Sequence, residues 1–173
     1  RREAKMLLNG VTESVQGFTP LPNVKKELTD ISRIYDSQLL VNKDFVIVSI
    51  QKNLKKTPFS IVHIASHGQF DKDPDKTFLL THDGKLTLDK LESLMALSNF
   101  RQEPVELLTL SACLTAVGDD RAALGLAGVA VNTGARCAPA SLWFINDQAR
   151  SCLVVSFHCQ PQQSDTISKA ISL

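Results

Sequence analysis

Two histidines, His63 and His67, stand in the stretch "IVHIASHGQF", and a cysteine, Cys113, stands in "LLTLSACLTAVGDD". A thiol attacks carbonyls as its thiolate, and an imidazole is the side chain that takes up or balances that proton at neutral pH. Cys113 with His67 would therefore make a dyad suited to acyl transfer. Such chemistry also needs donors for the developing oxyanion, and the backbone amides of Gly68 and Cys113 are candidates for that role. A helical zinc motif of the HExxH type would need Glu at position 64, which holds Ile64, so the two histidines do not read as a metal pair. A buried, inert thiol is the bland alternative for Cys113.

Strand parity and the residues that follow each histidine separate the two. "FSIVHIAS" is apolar on both faces, as expected of a central strand covered by helices on both sides. Ile61, His63 and Ala65 then share one face and Val62, Ile64 and Ser66 the other, which makes His63 a hydrogen-bonded core residue. His67 is expected past the pleat, beside a glycine of free backbone conformation, with its ring open to a cleft. Cys113 is expected just beyond the buried strand "PVELLTLSA", and Trp143 to Asp147 at the end of a further strand, "CAPASLWF". Ligands bind at the carboxyl ends of parallel strands, so three segments converge on one edge.

The elements that must hold them follow from periodicity. "AKMLLNG" reads as a first strand and "SQLLV" as another; "LPNVKKELTDISRIY" reads as an amphipathic helix, with Val24, Leu28, Ile31 and Tyr35 at helical spacing and Pro22 near its start. "NKDFVIVSIQKNLKKT" mixes β-branched and helical signals and is read as helix. "HGQFDKDPDK" reads as a polar loop and "TFLLTHDGKLT" as a hairpin turning at Asp83-Gly84. "LDKLESLMAL", "RAALGLAGVAVNTGA" and "DQARSCLVVSFHCQ" read as helices. Strands alternating with helices predict an α/β fold with a mostly parallel sheet and helices on both faces.

The 173 residues are 43% hydrophobic and 21% charged, a composition that fits one domain spanning 1–173 with a full core. With 19 Lys and Arg against 18 Asp and Glu the net charge is +1, which argues against nucleic acid or an anionic membrane as partner. No apolar run reaches the roughly 20 residues of a membrane span, and the stretch "RREAKMLLNG" has basic residues but no signal-peptide core, so a cytoplasmic protein is expected. Cys113, Cys137, Cys152 and Cys159 form no CxxC pair, and neither a structural metal nor a disulfide framework is expected. Cys152, His158 and Cys159 lack a fourth ligand nearby. The first residue is not Met and "SKAISL" reads as a helix in progress, so a piece of a longer chain is expected.

The stretches "IVHIASHGQF", "LLTLSACLTAVGDDRAALGLAGVAVNTGAR" and "ASLWFINDQA" resemble the CHAT domain. This is a caspase-like module related to caspases and separase and often joined to tetratricopeptide repeats. Weaker similarity runs from "LPNVKKEL" to "SKA". The resemblance implies a caspase-hemoglobinase-like three-layer sandwich and a cysteine endopeptidase acting on a protein or peptide substrate without a cofactor. His67 then matches the catalytic histidine, Cys113 the nucleophile and Gly68 the oxyanion glycine. Trp143 and Asp147 fall on a segment bordering the substrate pocket, although a Trp closing a sheet edge and an Asp capping a helix fit the same letters. Ser111 and Thr115 either shape the cysteine loop or satisfy a tight turn. The last third departs from the family pattern, with Pro139 inside an expected strand and His158 where an aromatic is usual. Two rivals share the residues: a catalytically latent interaction or regulatory module, and a small-molecule hydrolase using the same dyad.

Overall fold

The computed structural model describes residues 4–69, 71, 73–99, 105–114, 140–141 and 147–159. Among these residues five strands run parallel in the spatial order β2-β1-β3-β6-β7, formed by Asp36–Val41, Lys5–Gly10, Ile61–Gln69, Leu107–Leu114 and Ala140–Ser141. A hairpin of β4 (Phe78–Leu80) and β5 (Lys85–Thr87) adds antiparallel to the end of β3, through Gly68↔Leu79 and Gln69↔Phe78. The fold is a mixed α/β arrangement around an open sheet.

Among the described residues four helices cover it: α1 (Pro22–Ser32), α2 (Ile47–Lys56), α3 (Leu88–Asn99) and α4 (Asp147–Cys159). Side-chain alternation along the strands divides the core in two. Met6, Leu8, Ile61, Ala65 and Leu107 pack with Val24, Leu28 and Ile31 of α1 and Val154 of α4. Leu7, Val62, Ile64, Leu108 and Leu110 pack with Ile50 and Leu54 of α2 and Leu91, Leu94 and Met95 of α3. The three layers are consistent with a caspase-like sandwich.

Pro22 opens α1, where its fixed φ suits a helix and its missing N–H is one that the first turn leaves unbonded anyway. The helix ends at Ser32, before Tyr35, which the periodicity had carried into it. Gly10 sets how closely α1 can sit. A Cβ there would lie 2.8 Å from Leu28 Cδ1, 2.9 Å from Val24 Cγ1 and 3.0 Å from the Ala65 carbonyl. The ambiguous segment 42–57 resolves into a 3-10 turn (Asn42–Asp44) and α2, whose buried Ile50 and Leu54 face the core.

Two boundaries differ from those expected, and both matter for the site. β3 continues through His67 and Gly68 to Gln69, and β6 through Cys113 to Leu114. The cause is pairing: β6 bonds along β3 as far as Gly68↔Leu114, and β4 supplies a second partner to Gly68 and Gln69. Extra ladder partners override the loop signal that a glycine gives. The expected helix over 121–135, Thr115, Cys137, Pro139 and Trp143 lie outside the described residues.

Candidate functional site

The chain leaving β1 builds one wall of the site. Val15 and Phe18 bridge across a tight turn whose central residues, Gln16 (φ 51°) and Gly17 (φ 83°), both take left-handed conformations, the backbone demanded by a type I′ turn. The Gln16 side-chain amide donates to the carbonyls of Thr81 (3.2 Å) and His82 (3.3 Å), and the Ser14 hydroxyl to the Phe18 carbonyl (2.9 Å). At the base of this excursion the Thr12 amide donates to Asn42 Oδ1 (2.8 Å) and the Leu21 amide to the Thr12 carbonyl (3.1 Å). Phe18 and Thr19 are thus held from several sides before α1 begins.

His67 meets that wall. Its Nε2–H donates to the Thr19 carbonyl at 2.7 Å, and its ring lies against Phe18 with centroids 5.1 Å apart and planes tilted by 36°. A carbonyl only accepts, so the contact fixes the proton on Nε2 and makes Nδ1 the basic nitrogen of the neutral ring. The residue is 4% exposed, so His67 sits within the sheet rather than beyond it as its glycine neighbour suggested.

Register then sets the two candidate residues side by side. In the parallel ladder of β3 and β6, His67 pairs with Cys113 and Gly68 with Leu114. Neighbouring strands lie about 4.8 Å apart, so the backbones of His67 and Cys113 are adjacent. Leu107 and Thr109, earlier in β6, face α4. Ser111 pairs with Ala65 and is completely buried, one pleat below Cys113. Asp147 is the first residue of α4, and Trp143 lies outside the described residues.

A second polar cluster lies deeper on the same face. His63 Nε2 and Glu27 Oε1 pair at 2.9 Å with both side chains fully buried, which supports the core role read for His63. His158 meets the His63 ring edge-on at 5.4 Å, stands 3.4 Å from the Thr109 hydroxyl, and accepts at its backbone carbonyl the Tyr35 hydroxyl at 3.1 Å. Burial, aided by the neighbouring His63, holds His158 down to about 3, and burial pushes the Tyr35 phenol up to about 12. Cys152 and Cys159 are free and exposed on α4 while His158 is buried. Among the described residues no group of His, Cys, Asp and Glu is placed to hold a metal ion, and no helix is long and apolar enough to cross a membrane.

Sequence reasoning missed Thr19, Phe18 and Glu27. Thr19 acts through its backbone carbonyl, which leaves no mark on residue type. Glu27 did leave one: a carboxylate inside the stripe Val24, Leu28, Ile31 that packs on the sheet.

The family model of the CHAT domain matches residues 3–172. No curated protein matches the chain.

Proposed function

Because the chain belongs to the CHAT domain family, which is caspase-like, we propose that it is a cysteine endopeptidase cleaving protein or peptide substrates through a Cys113–His67 dyad. The observation that carries this reading is the register pairing of His67 with Cys113 on adjacent parallel strands. The Thr19 contact adds to it, since it commits His67 to one tautomer with Nδ1 as base.

In the proposed reaction His67 takes the thiol proton and the Cys113 sulfur bonds to the scissile carbonyl carbon. The oxygen becomes an oxyanion held by the amides of Gly68 and Cys113. Collapse breaks the C–N bond as His67 gives its proton to the leaving amine, and a thioester remains. Water, deprotonated by His67, then attacks that thioester and releases the acid and the free thiol. Trp143 and Asp147 border the pocket for the residue before the scissile bond, and Ser111 supports it from beneath. No cofactor enters the scheme. Residues 1–173 act as one domain, the family's tetratricopeptide repeats are the companion region of the full-length protein, and the thiol chemistry suits the reducing cytoplasm.

The test is covalent labelling by a peptidyl electrophile, read by mass spectrometry site by site. Labelling at Cys113 that disappears in Cys113→Ala and falls in His67→Ala supports the dyad. Labelling that persists in Cys113→Ala removes the nucleophile assignment, and no labelling of the full-length protein favours the latent interaction module.

A further inference from the structure

We infer that Glu27 and His63 form a positioning pair that sets the register of α1 along β3 and thereby delivers the Thr19 carbonyl to His67. The inference rests on the dyad reading only in treating His67 as catalytic; the placement of its ring is independent of that chemistry.

The geometry is that of a two-point clamp. His63 and His67 lie on one face of β3, and each engages through Nε2 an oxygen from the same short segment: Glu27 Oε1 on α1 at 2.9 Å, and the Thr19 carbonyl just before α1 at 2.7 Å. The two histidines are spaced about 13 Å apart along an extended strand. On the opposing segment Pro22 to Glu27 rises about 8 Å as helix, and the non-helical step from Leu21 back to Thr19 covers the rest. The two spans match in only one register. A slide of α1 by a single turn, about 5.4 Å, would break both contacts together.

Apolar packing cannot supply this setting by itself. Val24, Leu28 and Ile31 hold α1 on the sheet through contact that is not directional, and no other side chain of that buried stripe can replace Glu27 as an acceptor for His63. The close seat at Gly10 fixes the height of α1 above the sheet but not its orientation toward the two histidines. Glu27 Oε2 and His63 Nδ1, both buried, have no hydrogen-bond partner among the described residues. A pair that leaves polar atoms unsatisfied is a poor device for stability, since apolar replacements of buried ion pairs are often neutral or stabilising. Its use is registry, which a directional bond provides.

The experiment compares the full chain with Glu27→Leu/His63→Leu and with Glu27→Gln, which keeps an acceptor oxygen. Long-range proton–nitrogen spectra read the His67 tautomer, and site-resolved alkylation by iodoacetamide reads Cys113. The expected result is a double variant that remains folded with an unchanged or higher melting temperature, a His67 ring no longer confined to the Nε2–H form, and Cys113 alkylation slower by about 10-fold or more. Glu27→Gln keeps the native tautomer. A double variant that retains the native tautomer overturns the inference, and so does one that unfolds, because the pair would then carry stability instead of register. Should Cys113 show no enhanced reactivity even in the unaltered protein, the dyad reading fails while the tautomer comparison still decides this one.

Discussion

His67 donates its Nε2 proton to the backbone carbonyl of Thr19 at 2.7 Å, across 48 residues of chain. A side-chain partner for the histidine would be open to loss by a single substitution. The carbonyl is not, so the state of the imidazole depends on the path of the backbone from β1 to α1.

Phe18 is the side chain through which that path is most easily disturbed. It packs on the His67 ring and is partly buried against the core. Phe18→Ala should cost about 2 kcal/mol in urea denaturation, roughly half of a fully buried Phe→Ala change, and should slow alkylation of Cys113. Unaltered thiol reactivity in a destabilised variant would show that the ring contact does not order His67.

Gly10 and Gly84 offer a matched pair. A methyl group at Gly10 collides with Leu28, Val24 and the Ala65 carbonyl, whereas at Gly84 it meets nothing within 4 Å. Gly10→Ala should therefore lose about 1–3 kcal/mol and Gly84→Ala should stay within about 0.5 kcal/mol of the parent. Equal effects would mean that α1 adjusts freely over β1.

His158 makes the fold sensitive to acid. Its folded-state value is about 3 against an ordinary 6.5, so as pH falls below about 6.5 the unfolded chain binds the proton first. Stability is then lost toward acid at up to about 1.4 kcal/mol per pH unit from this group. His158→Phe, which keeps an aromatic ring edge for His63, should flatten that slope when unfolding is measured at about pH 7 and about pH 5. An unchanged slope would assign the acid sensitivity elsewhere.

Tyr35 gives an optical readout, because it is the chain's single tyrosine. Phenolate absorbance should rise near 12 in the folded protein and near 10 in denaturant. The phenol's contribution to stability is present below about pH 10 and is lost as pH climbs toward 12. A native titration near 10 would place the hydroxyl in water and break its tie to the His158 carbonyl.

Much of the framework was legible in the sequence. Two-faced apolar runs marked β3 and β6, helical spacing marked α1, and Asp83-Gly84 marked the β4–β5 hairpin, because each of these signals reflects a local requirement. The two histidines were told apart by the pleat around His63 and by the glycine after His67, yet both lie within β3 and on one face of it. What local signals did not carry was tertiary. Gly68 suggested an exit from the strand, yet pairing with Leu79 and Leu114 keeps it inside, and this moved His67 from an open cleft to a nearly enclosed position. Thr19 could not be found, since every residue offers the same backbone carbonyl. Glu27 and His158 are legible in retrospect as polar residues on buried helix faces, but which histidine each would meet depended on how α1 and α4 lie across the sheet.

β3 and β6 run parallel, so no tight turn can join them; the β4–β5 hairpin and α3 intervene between His67 and Cys113. During synthesis the strand bearing the histidine emerges well before the one bearing the thiol, and the wall carrying Thr19 emerges earlier still. A nascent chain therefore holds no complete site until β6 has left the ribosome and inserted beside β3, a non-local step of the kind that folds late. If the proposed peptidase activity holds, the order of strands is itself a delay on that activity.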